Sequence, residues 1–213
     1  IGLTIAAAAL AIGSKFLLRA RDKHIFNPTN FALALMMLVS DRVWVSPGQW
    51  GSAAFFGFLL ACLGGLVVHR AARSDVTYAF LVAYSTLLFG RAIWLGDPLA
   101  IPLHQLESGA FLIFAFFMIS DPKTTPETRA GRIVYAALVA VTAGVIRFGL
   151  YQPNALIWAL CGCAFLVPVI DRLLPGKPYR WTPEPTRREP RPTSPPLSET
   201  RLPQGAMPCA RPS

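Results

Sequence analysis

Phe31-Ala32-Leu33-Ala34-Leu35-Met36-Met37-Leu38-Val39-Ser40-Asp41-Arg42-Val43-Trp44-Val45 is the stretch on which the fold turns. Phe31–Ser40 is strongly apolar, and Asp41 and Arg42 follow directly. A helix needs about 20 apolar residues to cross a bilayer, with about 17 tolerated, so this segment is short for a crossing. If it turns back instead, the orientation of everything after it reverses.

The rest of the chain settles the choice. Six more apolar segments run over about 1–18, 51–68, 76–96, 103–119, 133–150 and 154–170. If residues 31–45 cross, one side of the bilayer receives Arg19, Arg21, Lys23, Arg70, Arg73, Lys123, Arg129, Arg132, Arg172, Lys177 and Arg180, and the other side Arg42 alone. If they turn back, the split is four against eight. Lys and Arg concentrate on the cytoplasmic side of membrane proteins, which favours the crossing. The expected fold is therefore all-α: a polytopic transmembrane helical bundle of about seven spans, with residue 1 outside and the C-terminus cytoplasmic. The expected location is the inner (cytoplasmic) membrane of a bacterium. Trp44, Trp50, Trp94 and Tyr151 fall at outer helix ends, and Tyr179 and Trp181 follow the last helix inside, as interfacial aromatics do.

Composition agrees. Of 213 residues, 54% are hydrophobic and 15% charged, where a soluble domain carries about a quarter charged. The net charge of +9 sits between apolar runs and in the tail, so a nucleic-acid partner is not expected. Small residues recur at Gly57, Ala61 and Gly65, and at Ala136, Ala140 and Gly144, which lets helices approach closely. Cys62, Cys161 and Cys163 lie inside apolar segments and carry no metal or disulfide expectation. The chain begins with Ile1 inside an apolar run, without a basic stretch or cleavage site, so a signal peptide is not expected.

Two regions are expected: residues 1–174 as the transmembrane domain, and 175–213 as a disordered proline/arginine-rich cytoplasmic tail. The tail holds 11 prolines in 39 residues and no apolar periodicity.

Two polar motifs lie on the inner face: His24-Ile25-Phe26-Asn27-Pro28-Thr29-Asn30-Phe31 and Ser120-Asp121-Pro122-Lys123-Thr124-Thr125-Pro126-Glu127. Each places a proline to open a helix, with Asn27 and Thr125 as N-caps. The helix starts bring free N–H groups and positive dipole ends to one side, able to hold an anion or the carbonyl edge of a ring. Asn27, Thr29, Asn30, Asp121, Lys123, Thr124 and Thr125 are the candidate cofactor-binding residues. Their mixed donors and acceptors match the edge of a flavin ring; equally, they serve as caps and loop closures. His24 reads as a surface histidine. On the outer face, Arg91, Arg147, His104 and Glu107 lie at shallow depth, and an Arg91–Glu107 pair or snorkelling accounts for them; a carboxylate, phosphate or quinone head group is the alternative. No catalytic nucleophile-plus-base arrangement and no metal site is expected.

These motifs resemble the RnfD/NqrB family, the large membrane subunits of Rnf/Nqr-type ion-translocating electron transport complexes. The similarity covers about residues 15–181, through Lys23–Phe31, Ser46–Gly51, Met118–Pro126 and Val167–Arg172. It implies an all-helical bundle that binds flavin and passes electrons between partners, coupled to cation transport in full complexes. It implies as partners other membrane subunits and flavin or iron–sulfur subunits of a redox complex, besides the lipid bilayer. Members with covalent FMN attach it to a Thr in the connection after the Asn-Pro helix. Here that connection, Asp41 to Gly51, has no Thr, so the expected cofactor is a noncovalent flavin, FMN or riboflavin. Helices that precede residue 1 in longer members are absent from this chain, so a compact or N-terminally truncated relative is expected. The reading is thus an electron-relay subunit of a membrane oxidoreductase (translocase) complex. A small-solute or ion transporter, or a cofactor-free scaffold, is the alternative; the sequence shows no internal repeat of the kind common in transporters.

Overall fold

The computed structural model describes residues 1–20, 23–46 and 54–176, with the side chains of Ala20 and Ala54 excepted. The end of the tail, from residue 177, and Trp50 lie outside the described residues, as does Cys209.

Every apolar segment has a helical counterpart. The helices are α1 (Gly2–Leu17), α2 (Pro28–Val39), α3 (Ala54–Arg70), α4 (Ser74–Leu95), α5 (Ala100–Leu106), α6 (Gly109–Ile113), α7 (Arg129–Gly144), α8 (Ala155–Ala164) and α9 (Val167–Leu173). Two wide π-helical turns, Phe114–Met118 and Val145–Gly149, extend α6 and α7. Among the described residues, strand is confined to a two-stranded hairpin, β1 (Arg19–Ala20) and β2 (Lys23–His24), between α1 and α2.

Two helical stretches are long and apolar enough to cross a membrane, Ser74–Leu95 of 22 residues and Arg129–Gly149 of 21. The pairs α5 with α6 and α8 with α9 are bent by 53° and 49°, and raise the number to four if each pair is one span. The helices α1, α2 and α3 are shorter apolar helices. The segment from Phe31 ends as a helix at Val39, not at 45, because Ser40 turns extended and Asp41 and Arg42 form a turn.

Local chemistry explains the ends. Asn27 caps α2, its Oδ1 accepting from Asn30 N–H at 3.1 Å, with Pro28 as the first helical residue. Gly96 closes α4 in the left-handed region, φ 73°. Ser108 caps α6 after the break. The cap of α7 is Thr128, whose Oγ1 accepts from Gly131 N–H at 3.1 Å. This corrects the expectation of Thr125 as the cap with Pro126 opening the helix. Glu127 N–H goes to the Asp171 carboxylate at 2.8 Å, so Thr125–Glu127 stay in the loop and the helix starts at Arg129.

The core lies between α4 and α7. On α4, Val76, Phe80, Tyr84, Leu88 and Ala92 recur every four residues and are buried, forming one helical stripe. Facing them, Ala136, Val139, Ala140 and Ala143 of α7 are fully buried, and a Cβ on Gly144 would lie 3.0 Å from Leu87. That stripe of small residues therefore packs within the subunit. On α3 the close approach falls at Gly64 rather than Gly65: an added Cβ would meet Phe116 at 2.5 Å, while Gly65 has open space. Large apolar side chains face outward from the bundle, among them Phe58, Val82, Trp94 and Phe165, as lipid-facing residues do.

Candidate functional site

The two polar motifs meet. Asn27 Nδ2 donates to Met118 O at 3.3 Å and to Asp121 Oδ2 at 3.4 Å. Its Oδ1 is already committed to capping α2, so one carboxamide ties the start of α2 to the end of the Phe114–Met118 turn. Asp121 in turn accepts from Lys123 N–H at 3.0 Å through Oδ1, and its carbonyl accepts from Thr124 Oγ1 at 3.3 Å. Asn30, one turn into α2, is buried and donates to Ile157 O on α8 at 3.2 Å.

Two buried oxygens of the same motifs have no partner within the described protein: Asn30 Oδ1 and Thr125 Oγ1, in residues 1% and 0% exposed. A buried polar group without a hydrogen bond is costly, and such groups concentrate where water or a ligand completes the set. Burial pushes the Asp121 carboxyl above the usual carboxylate range, opposed in part by the Lys123 N–H and the charge of His24. A proton held there would turn one oxygen from acceptor to donor.

The seven candidate residues do not share one surface. Asn27, Asn30, Asp121 and Thr124 form the junction, with Lys123 attached through its backbone. Thr125 is buried, and its carbonyl accepts from Lys23 Nζ at 3.3 Å. Thr29 is exposed and borders a cavity of about 360 Å³ that is also lined by Met118 and Ile157, the residues whose carbonyls take Asn27 and Asn30, with Ser46, Arg147 and Asn154 further along its wall.

Residues that local sequence patterns do not mark complete the site. Lys23 Nζ is 2.9 Å from Asp171 Oδ2 and 3.3 Å from Glu127 Oε1. This half-buried cluster fastens the β1–β2 hairpin to the loop before α7 and to α9. Asp171 stands in the motif that closes the last helix; nothing local marks Lys23 as its partner. His24 is not a surface histidine: it is half-buried, its Nδ1 is enclosed without a partner, and burial lowers its pKa, opposed by the Asp121 charge. At the other end, Arg91 pairs with Asp97 at 3.4 Å rather than with Glu107, and its guanidinium lies 4.3 Å from the Phe148 ring centre.

The donor and acceptor set suits the edge of a planar ring carrying carbonyls and an N–H: the carboxamides of Asn27 and Asn30, the Asp121 carboxyl and the hydroxyls of Thr124 and Thr125, with Asn30 Oδ1 and Thr125 Oγ1 unsatisfied. No group of His, Cys, Asp and Glu among the described residues is placed to hold a metal ion.

Comparison with known proteins covers the same ground. The model of the NQR2, RnfD, RnfE family matches residues 18–180. The chain is similar to bacterial proteins named as the D subunit of the ion-translocating oxidoreductase complex. The Citrobacter koseri protein is 33% identical over 58% of this chain and 34% of its own length. The Alcanivorax borkumensis protein is 35% identical over 62% and 37%, and that of Tolumonas auensis 41% identical over 38% and 23%. The chain thus spans about a third of the length of the curated relatives it matches.

Proposed function

This chain belongs to the NQR2, RnfD, RnfE family, and from that premise we propose that it is a membrane subunit of an Rnf-like electron transport complex, holding a noncovalent flavin at the Asn27–Asp121 junction. The observation that carries the reading is the contact between Asn27 Nδ2 and Asp121 Oδ2. It brings the two motifs to one place, and the same motifs carry the unsatisfied oxygens of Asn30 and Thr125.

In this reading Asn27, Asn30 and Thr124 orient the ring edge, Thr125 supplies a further hydroxyl, and Asp121 holds or releases a proton beside it. Lys123 places positive charge nearby, which favours the reduced, more negative form of a bound redox group. When bound, the flavin supplies the one- and two-electron chemistry; the protein tunes and positions it. Thr29 borders the cavity that Met118 and Ile157 also line.

The bundle spans the membrane seven times, counting α1, α2 and α3 and taking each bent pair as one span. The Lys23 end faces the cytoplasm, together with the tail from Pro175. Partner subunits deliver and remove electrons, with ion movement as the coupled step. The name of the relatives, which places them in an ion-translocating oxidoreductase complex, supports this assignment.

The test is the visible spectrum of detergent-purified protein. A flavin absorbance released by denaturation, and reduced in the Asn27→Ala, Asp121→Ala double variant, is the expected result. Folded protein that stays colourless after reconstitution with FMN and with riboflavin would overturn it.

A further inference from the structure

Outside the site above, a groove of about 860 Å³ runs along the lipid-facing flank between α4 and α7. Its walls are apolar over most of their length: Tyr78, Val82 and Ala83 from α4, Ile133 and Ala137 from α7. Tyr78, Val82 and Ile133 are exposed, at 56%, 67% and 44%. From Ser74 to Ala83 the helix rises about 13 Å at 1.5 Å per residue, enough for the upper part of an acyl chain. Both walls are the helices long enough to span a membrane, so lipid is the medium this groove meets.

One end is polar and cationic. Arg129 and His69 border the mouth and are exposed. The carboxylate there, Asp75, is taken up by Arg132, whose Nε lies 2.9 and 2.8 Å from the two oxygens. Arg132 also donates to Glu127 O at 2.7 Å, so its charge is held inward. The mouth is left with the positive charge of Arg129, at the level where the last turn of α3 adds His69 and Arg70. An apolar trough that ends in cationic side chains at a helix boundary matches one molecule: a lipid with an anionic head group.

We propose that this groove is a binding site for an anionic glycerophospholipid, its phosphate at Arg129 and His69 and one acyl chain along Tyr78, Val82 and Ile133. The site needs only that the helices lie in a bilayer; it does not depend on flavin binding.

The experiment is native mass spectrometry of the full chain in detergent, with added phosphatidylglycerol or phosphatidylcholine. Phosphatidylglycerol is expected to be retained preferentially. Arg129→Gln is expected to lower that preference about fivefold, the effect of roughly one basic residue near the surface. Ala83→Leu, which fills the groove without touching the charge, should remove the adduct. Arg42→Gln, on the exposed loop after α2, should change nothing. Thermal unfolding of each variant separates loss of lipid from loss of fold. Equal retention of both lipids, or wild-type retention in the folded Arg129→Gln and Ala83→Leu variants, would overturn the proposal. So would retention of a neutral isoprenoid-tailed molecule in place of phospholipid, or cross-linking from Tyr78 to protein rather than lipid in a native complex.

Discussion

Lys23 Nζ and Asp171 Oδ2 lie 2.9 Å apart across 148 residues of sequence. The same carboxylate accepts Glu127 N–H through its other oxygen, so one side chain holds the hairpin before α2, the loop before α7 and the helix α9 together. Both partners are 15% exposed, and Glu127 Oε1, 3.3 Å from the same Nζ, is the remaining partner of Lys23 if Asp171 is neutralised.

Asp171→Asn, which weakens the charge-assisted bond to Lys23, is therefore expected to destabilise the protein by about 1.5–3 kcal/mol, read by thermal or chemical unfolding in detergent. The double variant Lys23→Met, Asp171→Leu should recover part of that loss. A double-mutant cycle with no coupling between the two positions would show that the cluster is not a fastening.

The Asp121 carboxyl, raised by burial, binds its proton more tightly in the folded protein than in the unfolded chain. Its contribution to stability is fully present below the ordinary aspartate pKa and is lost as pH rises through the raised value. Asp121→Asn keeps an acceptor oxygen for Lys123 N–H and does not ionise. It should gain on the wild type as pH rises across that window and converge with it at the acid end. His24, whose pKa is lowered by burial, has the opposite sign: its contribution is present above the ordinary histidine value and is lost as pH falls. Unfolding temperatures of wild type, Asp121→Asn and His24→Gln over about pH 4 to pH 8 test both; a constant offset between curves would contradict the assignment.

Gly64 and Gly65 make a matched pair of probes. Gly64→Ala places a methyl against the Cβ of Phe116, an atom that moves only with its backbone, and is expected to cost about 1–3 kcal/mol. Gly65→Ala meets open space and should be neutral or slightly stabilising, since alanine is the better helix former. Equal unfolding temperatures for the two variants would mean that α3 is rotated relative to the Phe114–Met118 turn.

Arg132 is buried and takes both oxygens of Asp75. Arg132→Lys cannot reproduce the two-pronged contact and is expected to lose about 1–2 kcal/mol. Arg132→Ala should lose about 3–5 kcal/mol by leaving the carboxylate unpaired. A lysine variant as stable as wild type would show that charge alone, and not planar geometry, holds the first turn of α4 against α7.

The helical segments are legible in the sequence because they rest on short-range patterns, while the meeting of Asn27 with Asp121 spans 94 residues and is approached only by placing both motifs on the Lys/Arg-rich side. Apolar runs announce helices, and an Asn-Pro step announces a start, which Asn27 and Pro28 make. The failures trace to long-range contacts. Between Thr125 and Thr128 local rules offer two caps, and the choice falls to Asp171, which claims Glu127 N–H from across the chain. Gly64 and Gly65 are adjacent in sequence, and only the rotation of α3 decides which of them meets Phe116. Lys23 and Asp171 are ordinary surface residue types until the fold brings them together. The bends at 53° and 49° are likewise invisible, since apolar composition does not record where a helix changes direction.

The wide turns at Phe114–Met118 and Val145–Gly149 have a consequence for how each helix is registered. Their backbone bonds run from Ile119 N to Phe114 O and from Leu150 N to Val145 O, five residues back. A turn of this kind stows one residue more than its α-helical neighbours, so the stretch beyond it is phased independently of the stretch before. If the same residues wound evenly as an α-helix, without the wide turn, Ser120 and Asp121 would swing about 100° around the axis, away from Asn27; loss of one residue together with the wide turn would leave them in phase. The junction therefore depends on the wide turn absorbing its extra residue, as much as on which side chains are present.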